Sequence, residues 1–195
     1  MKNTQTTKKE ILTSESLNQI EKFIATSSKD GSPFNVALIY EDAQTREWSR
    51  ETFERISKVA GEQEVRPTWW NLNNLGDPGV LAAAVSTAMR ADIIVLAAQA
   101  GDGMPLAFYA WINAWLPNRF RSGGILAALL GKTERSGARP ARVGDYLREV
   151  ARQGRMRFLL ETRKLDVEAN GANGHLHLNG NGSSYANRNL ASIRF

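Results

Sequence analysis

Three runs of strand length, Phe34 to Tyr40 (FNVALIY), Asp92 to Ala98 (DIIVLAA) and Gly124 to Leu130 (GILAALL), are apolar at almost every position. A strand with one wet face alternates apolar and polar residues. Runs without that alternation belong to strands covered on both faces, as in a parallel sheet held between two layers of helices. Val65 to Leu72 (VRPTWWNL) and Met156 to Leu160 (MRFLL) read as two further strands. Pro67 has no N–H to give to a central ladder, which puts the second strand at an edge.

The segments between these runs carry helix patterns and helix punctuation. Residues 45–60 set Trp48, Phe53, Ile56 and Val59 roughly along one face and stop at Gly61. Asp77-Pro78 reads as an N-cap and a first-turn proline, Pro105 opens a helix that Pro117 ends, and Ala141 to Gln153 form a last helix closed by Gly154. Strict alternation of strand and helix demands right-handed crossovers and a parallel sheet. The expected fold class is α/β, a three-layer α-β-α sandwich around a five-stranded parallel sheet of order 2-1-3-4-5.

This domain spans residues 34–166. Ahead of it, residues 1–33 form a polar extension with one amphipathic helix, about Ser16 to Ala25, in which Ser16 and Gln19 have capping-box spacing. Behind it, residues 167–195 form an Asn/Gly-rich tail with too few apolar groups to offset the entropy of ordering, and disorder is expected there. Its His175-Leu176-His177-Leu178 alternation would supply half of a metal site.

The chain has 42% apolar and 23% charged residues, an ordinary globular balance, with no cysteine and two histidines. Disulfide scaffolds and thiolate chemistry are excluded, and a zinc site would have to rest on carboxylates. Met1 to Glu10 are polar with no apolar run after them, and no stretch approaches 18 uninterrupted apolar residues. A cytoplasmic protein without membrane association is expected.

In a sheet of this order, ligands bind beyond the carboxyl ends of the strands, near the switch point between strands 1 and 3. That rim comprises residues 41–46, 99–105 and 131–140. Glu41, Asp42 and Thr45 follow strand 1; Glu41 and Asp42 are candidate oxygen ligands for a hard cation such as Mg2+, with Asp102 as a third. A competing reading makes them charge complements for the next helix's first turn. Gln99, Gly101, Asp102 and Gly103 follow strand 3, where two glycines let a backbone approach a ligand. Lys132 and Thr133 follow strand 4. Gly131-Lys132-Thr133 imitates the end of a P-loop, but position 126 is Leu126 where the motif requires glycine.

Trp111 and Trp115 stand four apart on one helix and are interface candidates, with sheet-facing core as their other reading. Charge is unevenly spread: residues 34–118 hold 6 basic and 10 acidic residues, whereas residues 119–166 hold 12 basic and 5 acidic. Arg135, Arg139, Arg142, Arg148, Arg152, Arg155 and Arg157 make the second region a candidate face for an acidic protein or a nucleic-acid backbone.

The stretch Ala91 to Ala98, the glycine-bearing loop after it, and Pro105 to Ile112 resemble the third strand, loop and helix of flavodoxins and NAD(P)H-dependent FMN reductases. The resemblance implies a flavodoxin-like, Rossmann-like fold and an FMN phosphate cradled after strand 1. Flavin-binding members have Ser, Thr and Gly or an Arg in that loop, whereas Glu41 and Asp42 here repel a dianionic phosphate, so no cofactor is expected and FMN is disfavoured. The layout also resembles a response-regulator receiver, with Glu41 and Asp42 as its acidic pair and Thr133 and Lys164 as positional counterparts of its later residues. Ala97, Ala98 and Gln99 stand where a receiver carries its phosphorylated Asp. With no histidine or cysteine in residues 34–166, no nucleophile has an obvious base. The leading expectation is a non-catalytic flavodoxin-like or receiver-like binding or regulatory module with a protein partner or self-association; the alternative is an FMN-dependent NAD(P)H oxidoreductase, and a third reading is a basic nucleic-acid accessory protein.

Overall fold

A computed structural model of the chain describes residues 13–27, 32–61, 64–99, 104–119, 123–132 and 139–164. The elements run α1 (Ser14–Thr26), β1 (Phe34–Tyr40), α2 (Ala43–Ala60), β2 (Val65–Asn71), α3 (Pro78–Arg90), β3 (Ile93–Ala98), α4 (Leu106–Trp115), β4 (Ile125–Lys132), α5 (Arg139–Gln153) and β5 (Arg157–Lys164). The strands form one parallel sheet in the order β2-β1-β3-β4-β5. This is the expected α/β sandwich of flavodoxin-like layout.

The apolar runs have a direct structural cause. Successive side chains of a strand point to opposite faces, and both faces here are core. Phe34, Val36 and Leu38 of β1, Ile93, Val95 and Ala97 of β3, and Ile125, Ala127 and Leu129 of β4 pack with α1 and α2. Their neighbours Ala37, Ile39, Ile94, Leu96, Leu126, Ala128 and Leu130 pack with α3, α4 and α5 on the other side.

With only α2 returning to the first face, half of that face would stay open. The helix ahead of β1 fills it: α1 buries Ile20 and Ile24 there and packs against α2. Its start differs from the Ser16 expectation. Thr13 is the N-cap, accepting from the Ser16 N–H. The Ser16 hydroxyl instead reaches β5, donating to Glu161 at 2.5 Å, and the Thr13 N–H and hydroxyl converge on the same carboxylate oxygen. Glu161 thereby anchors the amino end of α1 to the edge strand.

Other boundaries also shift for physical reasons. β5 runs four residues past Leu160, because Glu161, Thr162, Arg163 and Lys164 give this edge strand little apolar signal. α5 is closed by Arg155, the residue with left-handed backbone (φ 52°), and not by Gly154. Gly154 is closely packed: a Cβ there would lie 3.2 Å from the Leu116 side chain and 3.3 Å from the Val150 carbonyl.

Candidate functional site

β1 and β3 are neighbours whose following helices leave to opposite faces, α2 to one and α4 to the other. Their carboxyl ends define the crevice in which folds of this order hold ligands. The residues after β1 place a hydrogen-bond set at this point. Glu41 Oε2 accepts the backbone N–H of Gln99, the residue after β3, at 2.7 Å. Asp42 Oδ2 accepts from the Gln99 side-chain amide, and Asp42 Oδ1 accepts the Thr45 N–H at 2.8 Å. The Thr45 hydroxyl, fully buried, donates to Asp42 Oδ1 (2.8 Å) and accepts the N–H groups of Glu41 (3.0 Å) and Asp42 (2.8 Å). Asn73, in a 3-10 turn after β2, adds a bond to the Glu41 carbonyl at 2.9 Å.

Asp42 is thus the N-cap of α2 within a capping box whose third residue is Thr45. The helix's positive end is complemented by its own chain. Glu41 does a different job, tying the end of β1 to the end of β3. A ligand carrying a phosphate would meet two carboxylates here, with the Gln99 and Thr45 N–H groups already engaged. Asp42→Ala is expected to lower stability by about 1 kcal/mol through loss of the cap, read as a shifted urea midpoint, whereas Asp42→Asn should lose less than half of that.

The other sequence candidates divide three ways. Gly101, Asp102, Gly103 and Thr133, and likewise His175 to Leu178, lie outside the described residues. The proposed Glu41, Asp42, Asp102 metal trio therefore has two described members, both occupied by protein donors, and no group of three potential metal ligands occurs among the described residues. Lys132 is exposed at the end of β4, in register with Lys164 of β5.

Trp111 and Trp115 are corrected from interface candidates to core. They are 1% and 0% exposed, with ring centroids 5.7 Å apart. With Phe108 and Ile112 they line the face of α4 turned to the sheet, and the exposed residues of that helix include Leu106, Ala110 and Asn113. Helical spacing alone identified the stripe; the docking of α4 decided that it faces inwards.

The basic region is partly neutralised and partly structural. Arg119 is turned inwards, donating to the carbonyls of Ala88, Ala91 and Gly123 at 3.0 Å each, across the carboxyl end of α3. Arg148 pairs with Asp145 at 2.7 Å and Arg152 with Glu149 at 2.6 Å, both on the exposed face of α5. The Arg152 bonds hold the Glu149 carboxyl down to about 2. Arg163 reaches Glu51 at 3.4 Å and stacks 5.0 Å from the Trp48 ring.

Sequence reasoning missed one feature beside the rim. Ala43, Arg46, Glu47 and Arg50 of α2 and Trp69 of β2 line a cavity of about 290 Å3. Its signal was present as two arginines four apart on a helix that begins beside an edge strand bearing tryptophan. Among the described residues no helix is long and apolar enough to cross a membrane. No family model, curated protein or solved structure matches the chain.

Proposed function

We propose that this chain is a non-catalytic binding module on a flavodoxin-like frame, acting in the cytoplasm on a protein partner or a second copy of itself. The observation that carries the reading is the carboxylate-filled switch point, where Glu41 and Asp42 take the Gln99 and Thr45 donors. A phosphate-bearing cofactor needs those donors and is repelled by those charges. At the end of β3, Gln99 offers an amide and no carboxylate to phosphorylate, which supports a module that is not switched as a receiver is.

The test is the visible spectrum of the full chain purified from cells, followed by FMN titration at low and physiological salt. A colourless protein with no saturable uptake up to tens of micromolar is expected. A stoichiometric yellow protein that oxidises NAD(P)H overturns the proposal in favour of the FMN-dependent oxidoreductase. Affinity for duplex or single-stranded nucleic acid that falls steeply with salt overturns it in favour of the nucleic-acid reading.

A further inference from the structure

The cavity at the α2–β2 corner differs chemically from the switch point beside it. Arg50, one of its two cations, is already matched: Nε and Nη2 donate to the two oxygens of Glu47 at 2.9 and 2.6 Å, and Nη1 donates to Glu54. Glu47, the acidic residue of the lining, is taken by the same fork. Arg46 has no carboxylate within salt-bridge distance among the described residues. Its guanidinium lies 5.6 Å from the centre of the Tyr40 ring, a contact that narrows its rotamers without satisfying its donors.

The lining also has an aromatic member. Trp69 is half-buried, in T-shaped contact with Phe53 at 6.2 Å and with Tyr40 at 6.5 Å between ring centroids. Neighbours on those sides hold the indole in place where it borders the cavity. Trp69 and Arg46, the latter with no carboxylate partner among the described residues, therefore line a single space. At about 290 Å3, that space sits at the small end of ligand pockets, which run from roughly 300 Å3 upwards.

The geometry points to a binding site for a small aromatic carboxylate, with its ring against Trp69 and its acid group on the Arg46 fork. Each part of the ligand answers a feature of the site. One guanidinium matches one carboxylate in a two-bond pair, and a dianion would face Glu41 and Asp42 just along the chain without a second unmatched cation. The ring suits a lining that includes an indole, and a space of about 290 Å3 suits a compact acid. This inference rests on the reading of the chain as a binding module, and assigns that module a ligand class. It uses none of the hydrogen bonds that close the switch point.

The experiment is ligand-observed NMR and calorimetry with indole-3-acetate and 4-hydroxybenzoate as probes, and with indole-3-acetamide as the neutral control. The full chain, Arg46→Gln and Trp69→Leu are compared. Saturable binding with a Kd of about 1 mM or tighter is expected for at least one acid. Arg46→Gln should weaken it about tenfold, and the neutral amide should bind the unaltered chain about tenfold more weakly than its acid. Arg46 is exposed, so this variant should keep the thermal midpoint of the unaltered chain, and it tests the site even where Trp69→Leu costs stability. Neither acid saturating below 10 mM (a probe limit of about ten times the expected Kd), acid and amide binding equally, or Arg46→Gln binding unchanged each overturns the inference. Flavin uptake would instead overturn the binding-module reading, so the two failures are separable.

Discussion

Gly124→Ala is expected to destabilise the fold by about 3 kcal/mol, combining left-handed backbone strain with overpacking. Gly124 sits at φ +119° just before β4, and an added Cβ would lie 2.8 Å from the Asp92 carbonyl oxygen and 2.6 Å from Arg119 Nη2. Neither atom is free to retreat. The Asp92 carbonyl accepts the Ile125 N–H at 3.0 Å, and Arg119 is bound to three carbonyls while its guanidinium lies 6.0 Å from the Trp115 ring centre. Gly123→Ala is the internal control: its φ is +90° but a Cβ there meets nothing within 4 Å. It should cost about 1–2 kcal/mol. Urea unfolding of both variants separates strain from crowding, and equal losses would show that the close approach contributes nothing.

Trp115→Ala should cost about 3–5 kcal/mol, the range for emptying a large aromatic site that collapses only in part. That is a large share of the total for a domain of ordinary stability, about 5–15 kcal/mol. The side chain is fully buried between Trp111 and Arg119, so Ala leaves a cavity and removes the wall behind the α3 carboxyl-end clamp. Trp115→Phe should lose less than half as much. It keeps most of the packed area, and it removes an indole N–H that is buried without a hydrogen-bond partner among the described residues. Thermal melts and urea midpoints check both. A Trp115→Ala protein of unchanged stability would return this residue to the surface and reopen its reading as an interface.

Much of the frame is legible in the chain. Pro67 marks the edge strand, the unbroken apolar character of β1, β3 and β4 marks the sheet interior, and Asp77-Pro78 marks the start of α3, where Asp77 Oδ1 accepts the N–H groups of Gly79 and Val80 at 2.8 and 2.9 Å. These signals are local, because each follows from the faces or backbone groups of one element. The carboxyl half of β5 is hidden, because Glu161, Thr162, Arg163 and Lys164 resemble a loop until β4 is laid beside them in register through Lys132 and Lys164. The position of α1 was equally hidden. Nothing in its amphipathic pattern says which open face it will cover, or that Glu161, far along the chain, will hold its first turn.

The site shows the same division. From sequence, Glu41 and Asp42 could be metal ligands or helix complements, and the residues themselves are the same in both cases. Asp42 caps α2 through Thr45, and the pairing of β1 with β3 brings Gln99 within bonding distance of both carboxylates. Sequence by itself determined the layered fold, the strand order and the acidic character of the rim, since periodicity, caps and charge are properties of short segments. Tertiary structure alone decided that Glu41 and Asp42 bond Gln99 across the strand ends, that Trp111 and Trp115 face inwards, and that Arg46 and Trp69 share a cavity, because each depends on distances between elements that no single segment encodes.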